Sequence, residues 1–213
     1  MTTDDVFTVL TVCTGNICRS PLAAVALAHG LADVPGVRVV SAGTRAQDGA
    51  PMTDQGLVLA RSYGLDGSEH TASYLTEGEI SRAQLVLGMS REHRSAVVSM
   101  VPRAVKTTFS LREFARLAEG LSEADGALVA GLDPEDTRGR LQTMVALVAS
   151  QRGQVAVASD PSDDDIVDPY RRSDDVYAES GRQLMPAAST VAEVLRSAVL
   201  SGPGSRMRPG GSA

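Results

Sequence analysis

A chain of 213 residues is long enough to bury a full core as one domain. Its composition, 43% apolar and 22% charged, is that of an ordinary globular protein, and a formal net charge of −6 argues against electrostatic binding to nucleic acid or an anionic membrane. No run approaches the roughly 20 apolar residues that span a bilayer, Met1–Asp5 lacks the basic start of a signal peptide, and two cysteines fit a reducing compartment, so a cytoplasmic location without membrane insertion is expected.

Val6–Val12 is β-branched and apolar, as a buried parallel strand requires, and predicts a first strand over residues 6–12. Ser20 is a good N-cap and Pro21 suits the first helical position, so a helix is expected over 21–32. Further strands are predicted over 37–41, 84–88 and 104–109, and further helices over 53–63, 90–99, 110–120, 138–151 and 174–199. Pro186 should kink or break the last of these. Alternating strand and helix predicts an α/β fold, a central parallel four-stranded sheet flanked by helices, with ligands at the carboxyl ends of the strands. The domain is expected to span 1–200, with Ser201–Ala213, rich in Gly, Ser and Pro, as a disordered tail. His29 and His93, on predicted helix surfaces or ends, lack metal-ligand company and read as structural.

The chemistry concentrates in Val12-Cys13-Thr14-Gly15-Asn16-Ile17-Cys18-Arg19-Ser20-Pro21, at the junction of the first strand and helix. Loop N–H groups, the Ser20 hydroxyl, the Arg19 cation and the helix start all favour a thiolate at Cys13. The same donors suit the equatorial oxygens of a phosphoryl group, with Arg19 gripping two of them in its planar fork. Asn16 takes a positive φ more easily than most residues, and Gly15 has no side chain to obstruct a ligand. A lone cysteine in such a turn would read as structural; the whole pattern reads as catalytic. Far along the chain, Asp163-Asp164-Asp165-Ile166-Val167-Asp168-Pro169-Tyr170 is markedly acidic. Neighbouring carboxylates should help Asp168 to keep a proton, and Pro169 restricts it to extended conformations. Asp163 and Asp164 read as solvated.

The cysteine pattern resembles the signature of the low-molecular-weight protein tyrosine phosphatases. Val39–Thr44, Tyr63-Gly64-Leu65, His70-Thr71-Ala72, Leu85–Ser90 running on to His93, and Asp165–Tyr170 are similar to further family segments, in the right order, over about 150 residues. The resemblance implies Cys13 as nucleophile, Arg19 as phosphate clamp, Asp168 as general acid and base, and Thr14, Gly15, Asn16, Ile17, Cys18 and Ser20 as the phosphate-binding loop. Ser41 and His70 would brace that loop, and Gln47 and Tyr170 would line the substrate pocket. The implied reaction hydrolyses protein phosphotyrosine through a phosphocysteine, with no metal or other cofactor. The implied partner is a phosphotyrosine protein, a tyrosine kinase among the candidates; the oligomeric state is left open. The resemblance also implies that Cys13 and Cys18 meet and form a protective, reversible disulfide on oxidation.

Three features bear on specificity. Ile17 is apolar where the arginine-phosphatase branch carries threonine, which suits an aromatic ring; Gln47 stands where tyrosine-specific members place a bulky apolar group. Arg171 and Arg172 follow the Asp-Pro-Tyr element, where the family often carries tyrosine or glycine, and either favour acidic substrates or stand as solvated charges. Roughly fifty residues separate Phe109 from Asp165, where the minimal fold needs a short connection. A helical insertion is therefore expected over about 116–160, carrying Leu141, Met144, Val145, Leu147 and Val148 on one face. It would form a cap beside the site, a surface elaboration or a dimer contact. A thiol-dependent arsenate reductase and a non-catalytic phosphoprotein-binding module are the competing functions, with phosphoarginine hydrolysis below them because of Ile17.

Overall fold

The computed structural model describes residues 6–200, so the tail expected over 201–213 lies outside the described residues. Four parallel strands form one sheet in the order β2-β1-β3-β4: β1 (Phe7–Cys13), β2 (Val37–Gly43), β3 (Leu85–Gly88) and β4 (Thr108–Ser110). Cys13 lies opposite Gly43 and Val12 opposite Gly88, so the central strand carries Cys13 to the carboxyl edge of the sheet.

Side chains alternate along β1 and divide the core in two. Phe7, Val9 and Cys13 face a layer that includes α1 (Arg19–Gly30), α5 (Leu111–Ala118) and α8 (Asp174–Leu200); Leu10 and Val12 face α3 (Glu77–Arg82) and α4 (Arg91–Met100). Helix α2 (Asp54–Ser62) packs beside α1 and α8. Between α5 and Asp165 come α6 (Glu123–Ala130) and α7 (Thr137–Ser150), which pack on each other and on α8. Leu141, Met144, Val145 and Val148 are buried in that contact, and Arg152 beyond α7 stacks 4.1 Å over the Phe109 ring and donates to Glu113.

The elements depart from expectation in four places. The fourth strand shrinks to three residues, because Pro102–Lys106 forms a 3₁₀ turn whose Ala104 carbonyl accepts from Thr107 N–H and the Thr108 hydroxyl. Helix α1 begins at Arg19 with Cys18 at the N-cap, because the Ser20 hydroxyl, expected to cap it, is engaged elsewhere. Helix α8 is continuous through Pro186: Pro186 and Arg182, whose carbonyl loses its partner, are both exposed, so water can take that bond. Finally, α3 and α6 are additional short helices, each opened by a capping box, Thr76 with Glu79 and Ser122 with Asp125.

Candidate active site

The loop leaving β1 is pinned from outside by its carbonyls. Cys13 O accepts from Thr44 N–H (2.9 Å), Thr14 O from Arg45 N–H (2.8 Å), Asn16 O from His70 Nε2 (2.7 Å) and Ile17 O from Thr53 N–H (3.0 Å). A trans peptide points its N–H opposite to its carbonyl, so this pinning leaves the N–H edge of the loop for a ligand. The chain can come this close because residue 43 is glycine: a Cβ there would lie 2.6 Å from Thr14 O and 2.9 Å from Asn16 N.

Asn16 is the buried knot of the loop. It sits at φ 54, a conformation Asn tolerates better than most residues. Its side-chain amide donates to Ser20 Oγ (2.8 Å) and Ser41 Oγ (2.9 Å), while its Oδ1 accepts from Ser73 N–H (2.9 Å). Ser20 Oγ, which accepts from Asn16, lies 3.0 Å from Cys13 Sγ, and Asn16 N–H donates to the same sulfur from 3.3 Å. Cys13 Sγ thus lies against a hydroxyl and a backbone N–H, both within hydrogen-bond reach.

Arg19 joins this loop to the distant Asp168. Only 6% exposed, it donates from Nη1 to Ile166 O (3.1 Å) and pairs through Nη2 with Asp168 Oδ2 (2.6 Å), whose side chain is 51% exposed. The Asp168 segment is itself held by long-range bonds. Arg91 engages the Asp165 carboxylate through its backbone N–H (2.7 Å) and its guanidinium (2.9 Å), Ile166 N–H donates to Met89 O (2.9 Å), and Val167 N–H donates to Gln183 (2.9 Å). Burial pushes the Asp165 carboxyl up, but the bonds and charge of Arg91 outweigh it and hold it below the usual carboxylate range.

Asp164 departs from the solvated state expected of it: its side chain, 14% exposed, pairs with Arg116 at 2.8 Å, while Asp163 is exposed. Asp164 and Asp165 are thus each matched by an arginine, and the acidic run does not present Asp168 with a wall of unpaired charge.

His93 also departs from the peripheral place expected of it. It is buried, with Nε2 2.9 Å from the Thr14 hydroxyl and Nδ1 2.7 Å from the Ser90 hydroxyl. Burial first, then the nearby Arg19 cation, depress its pKa to about 4, so the ring is neutral at pH 7. With Ser90 donating to Nδ1, the Nε2 proton is directed at Thr14, a tautomer assigned from the hydrogen-bond pattern. His70 is likewise shifted down by burial, against the pull of the Asn16 carbonyl. His29 is exposed in the last turn of α1.

Cys13, Thr14, Gly15, Ile17, Cys18, Arg19, Arg45, Gln47, Ala50, Asp168 and Tyr170 line one cavity of about 300 Å³. Tyr170 is 45% exposed at its mouth. Ser41 and His70 stand behind the loop, on Asn16. No residue of 116–160 lines this cavity among the described residues, so the helical segment belongs to the α5–α8 side of the molecule and is not a cap. Cys13 and Cys18 are both free thiols. Cys18 Sγ lies 3.4 Å from the Tyr177 hydroxyl and 3.5 Å from Thr53 Oγ1, and burial pushes its thiol up despite those bonds. Tyr177 is raised to about 12, burial again the leading cause. Sequence reasoning missed Thr53, Ser73, Tyr177 and Arg45; of these only Thr53, as the N-cap of α2, left a local signal. Among the described residues no group of three or more His, Cys, Asp or Glu could hold a metal ion, and no helix is long and apolar enough to cross a membrane.

The family model of the low molecular weight phosphotyrosine protein phosphatases matches residues 8–125, which include the whole Cys13 loop. The chain belongs to that family. Among relatives of this phosphatase family, the probable low molecular weight protein-tyrosine-phosphatase EpsP of Ralstonia nicotianae is 41% identical over 106 residues, 50% of this chain and 71% of that protein. The protein-arginine-phosphatase of Geobacillus stearothermophilus is 35% identical over 114 residues, 54% of this chain and 75% of that one. Among solved structures, the YwlE arginine phosphatase from G. stearothermophilus superposes with a TM-score of 0.61 at 27% identity, covering 89% of this chain and 93% of that one. The low molecular weight protein tyrosine phosphatase from T. tengcongensis gives 0.60 at 25% identity, covering 88% and 98%. The family phosphatase match ends at residue 125, before Asp168, so the meeting of Asp168 with Arg19 is a finding of the tertiary structure alone.

Proposed function

We propose that this phosphatase hydrolyses phosphotyrosine in proteins, with Cys13 as nucleophile, Arg19 as phosphate clamp and Asp168 as general acid and base. One observation carries the reading: a sulfur in hydrogen-bond reach of a hydroxyl and a backbone N–H, a nearly buried guanidinium and a carboxyl bonded to that guanidinium share one cavity. The incoming phosphoryl dianion takes the Arg19 fork and displaces Asp168 from it, leaving the carboxyl beside the leaving oxygen. Freed from Arg19 and facing the dianion, Asp168 takes a proton from solvent; Cys13 Sγ, as the thiolate, then attacks phosphorus, the bond to the phenolic oxygen breaks, and Asp168 delivers that proton to the leaving oxygen. Water then attacks the phosphocysteine, Asp168 accepts its proton, and phosphate leaves as the thiolate is restored. Positioning and charge stabilisation supply most of the rate, which fits a site built of fixed donors. The reading extends to a cytoplasmic enzyme acting on phosphotyrosine proteins, tyrosine kinases among the candidates.

Relatives named for both tyrosine and arginine leave the leaving group to be argued from the wall. Ile17 is branched and apolar, offers no bond to a guanidinium and suits an aromatic face, and Tyr170 adds a ring at the mouth. The test is a panel of an aryl phosphate, a phosphotyrosine peptide, a phosphoarginine peptide, and arsenate with thiol. Cys13→Ser is expected to abolish turnover yet retain phosphate binding. Asp168→Asn is expected to slow the phosphotyrosine peptide by roughly 10²–10³-fold, and to slow an aryl phosphate with a better leaving group much less. Preference for phosphoarginine or arsenate, or normal turnover by either variant, would overturn the assignment.

A further inference from the structure

The mouth of the cavity carries more positive charge than the reaction uses. Arg19 faces the phosphoryl group, but Arg45 also lines the cavity, and Arg171 and Arg172 follow Tyr170, which forms part of its wall. All three are exposed, and among the described residues none is in a salt bridge. The neighbouring carboxylates are engaged elsewhere: Asp48 accepts from Tyr74 N–H (2.6 Å) and Asp174 from Gln55 (2.6 Å). Arg45 in the cavity wall and Arg171 on Tyr170, with Arg172 next in the chain, are cations without a salt bridge at or beside one opening of a chain with net charge −6, and they point to an anionic partner beyond the phosphate.

Arg171 sharpens the argument. It sits at φ 59, in the left-handed region where glycine rests freely and a branched or long side chain does so at a cost. Its guanidinium carbon lies 5.1 Å from the centre of the Tyr170 ring, so the strained residue sets a cation against the aromatic wall of the mouth. Local folding alone would favour glycine at this position.

We propose that Arg45, Arg171 and Arg172 read acidic side chains flanking the phosphorylated residue, so that the preferred substrates carry Asp or Glu within two or three positions of the phosphotyrosine. The inference rests on the phosphotyrosine reading above and names the substrate class for that site. Exposed ion pairs are individually weak and screened by salt, so the selectivity is additive, modest and ionic-strength dependent.

The experiment compares kcat/KM for two phosphotyrosine peptides that differ only in flanking residues, Glu in one and Ser in the other. Within each variant the Glu-to-Ser ratio is read, so that effects common to both peptides cancel. At low ionic strength the ratio is expected near tenfold, falling to about twofold at 0.2 M salt. Arg171→Gly should reduce it by about threefold while keeping Tm, since glycine adopts the same backbone without strain; Arg45→Gln with Arg172→Gln should remove most of the remainder. Equal rates for the two peptides in the unsubstituted protein, or a ratio that survives all three substitutions, would overturn the proposal. If neither peptide were turned over, the phosphatase reading itself would fail. Direct binding of the same two peptides would then decide the mouth, equal affinity overturning it.

Discussion

Thr14–Ser20 and Asp164–Tyr170 meet at the Arg19 guanidinium but are held in different ways. The first loop is held both from within and from outside: Asn16 reaches Ser20 four residues on and Ser20 lies against Cys13, while the carbonyls of Cys13, Thr14, Asn16 and Ile17 are clasped by the segments flanking the sheet edge. The second has no such internal knot. Its order comes from Arg91, Arg112, Arg116 and Gln183, side chains of three separate helices. A buried loop whose polar groups satisfy one another is rigid and costly to disturb, whereas a half-exposed loop on long ionic tethers loses little when one is cut. The division suits the proposed chemistry, in which the cradle is preorganised while Asp168 yields Arg19 to a substrate.

That difference is sharpest at Asn16. Asn16→Ala leaves Ser41, Ser20 and Ser73 N–H short of partners and a β-carbon residue in the left-handed region; about 2–4 kcal/mol of stability should be lost in urea unfolding. Phosphate affinity should fall more than tenfold. Next comes His93, whose ring is neutral when folded but titrates near 6.5 when unfolded, so stability should be full above that pH and fall as pH drops toward 4. Between pH 7.5 and 4.5 this one group should cost about 2 kcal/mol, and His93→Gln should flatten the urea midpoint against pH by that amount. An unchanged slope would mean that the ring is already charged in the cradle. The smallest effect belongs to the other loop. Arg91→Ala, removing an ion pair at half-exposed groups, should cost under about 1 kcal/mol. It should lower kcat on a phosphotyrosine peptide by roughly tenfold, with inorganic phosphate inhibiting as before. If it weakened phosphate binding as strongly as Asn16→Ala does, the two loops would be one unit and the division drawn here would be wrong.

The two regions were also unequally legible in the amino-acid order. The strand, loop and helix around Cys13 are written in contiguous residues, because hydrophobic run, turn chemistry and donor spacing all act within a few positions of one another. Even there the start of α1 was misplaced, since Ser20 serves the sulfur and Asn16 rather than the helix end. His93 read as peripheral because a helix pattern says which residues share a face but not what that face meets; only packing of α4 against the sheet brings the ring to Thr14. Asp164 read as solvated for the same reason, its arginine lying 48 residues away. The helical segment after α5 was visible as one apolar stripe over Leu141–Val148, yet its seat on α8, away from the cavity, depends on contacts that no local pattern encodes.

By itself, then, the order of residues determined the alternation of strand and helix, the parallel sheet and the place of Cys13 at its edge, since these follow from short-range periodicity and turn preferences. That His93 meets Thr14, that Asp164 is paired with Arg116, and that Arg45 lines the cavity were decided only by the tertiary structure. Those are juxtapositions across dozens of residues, set by how whole elements pack.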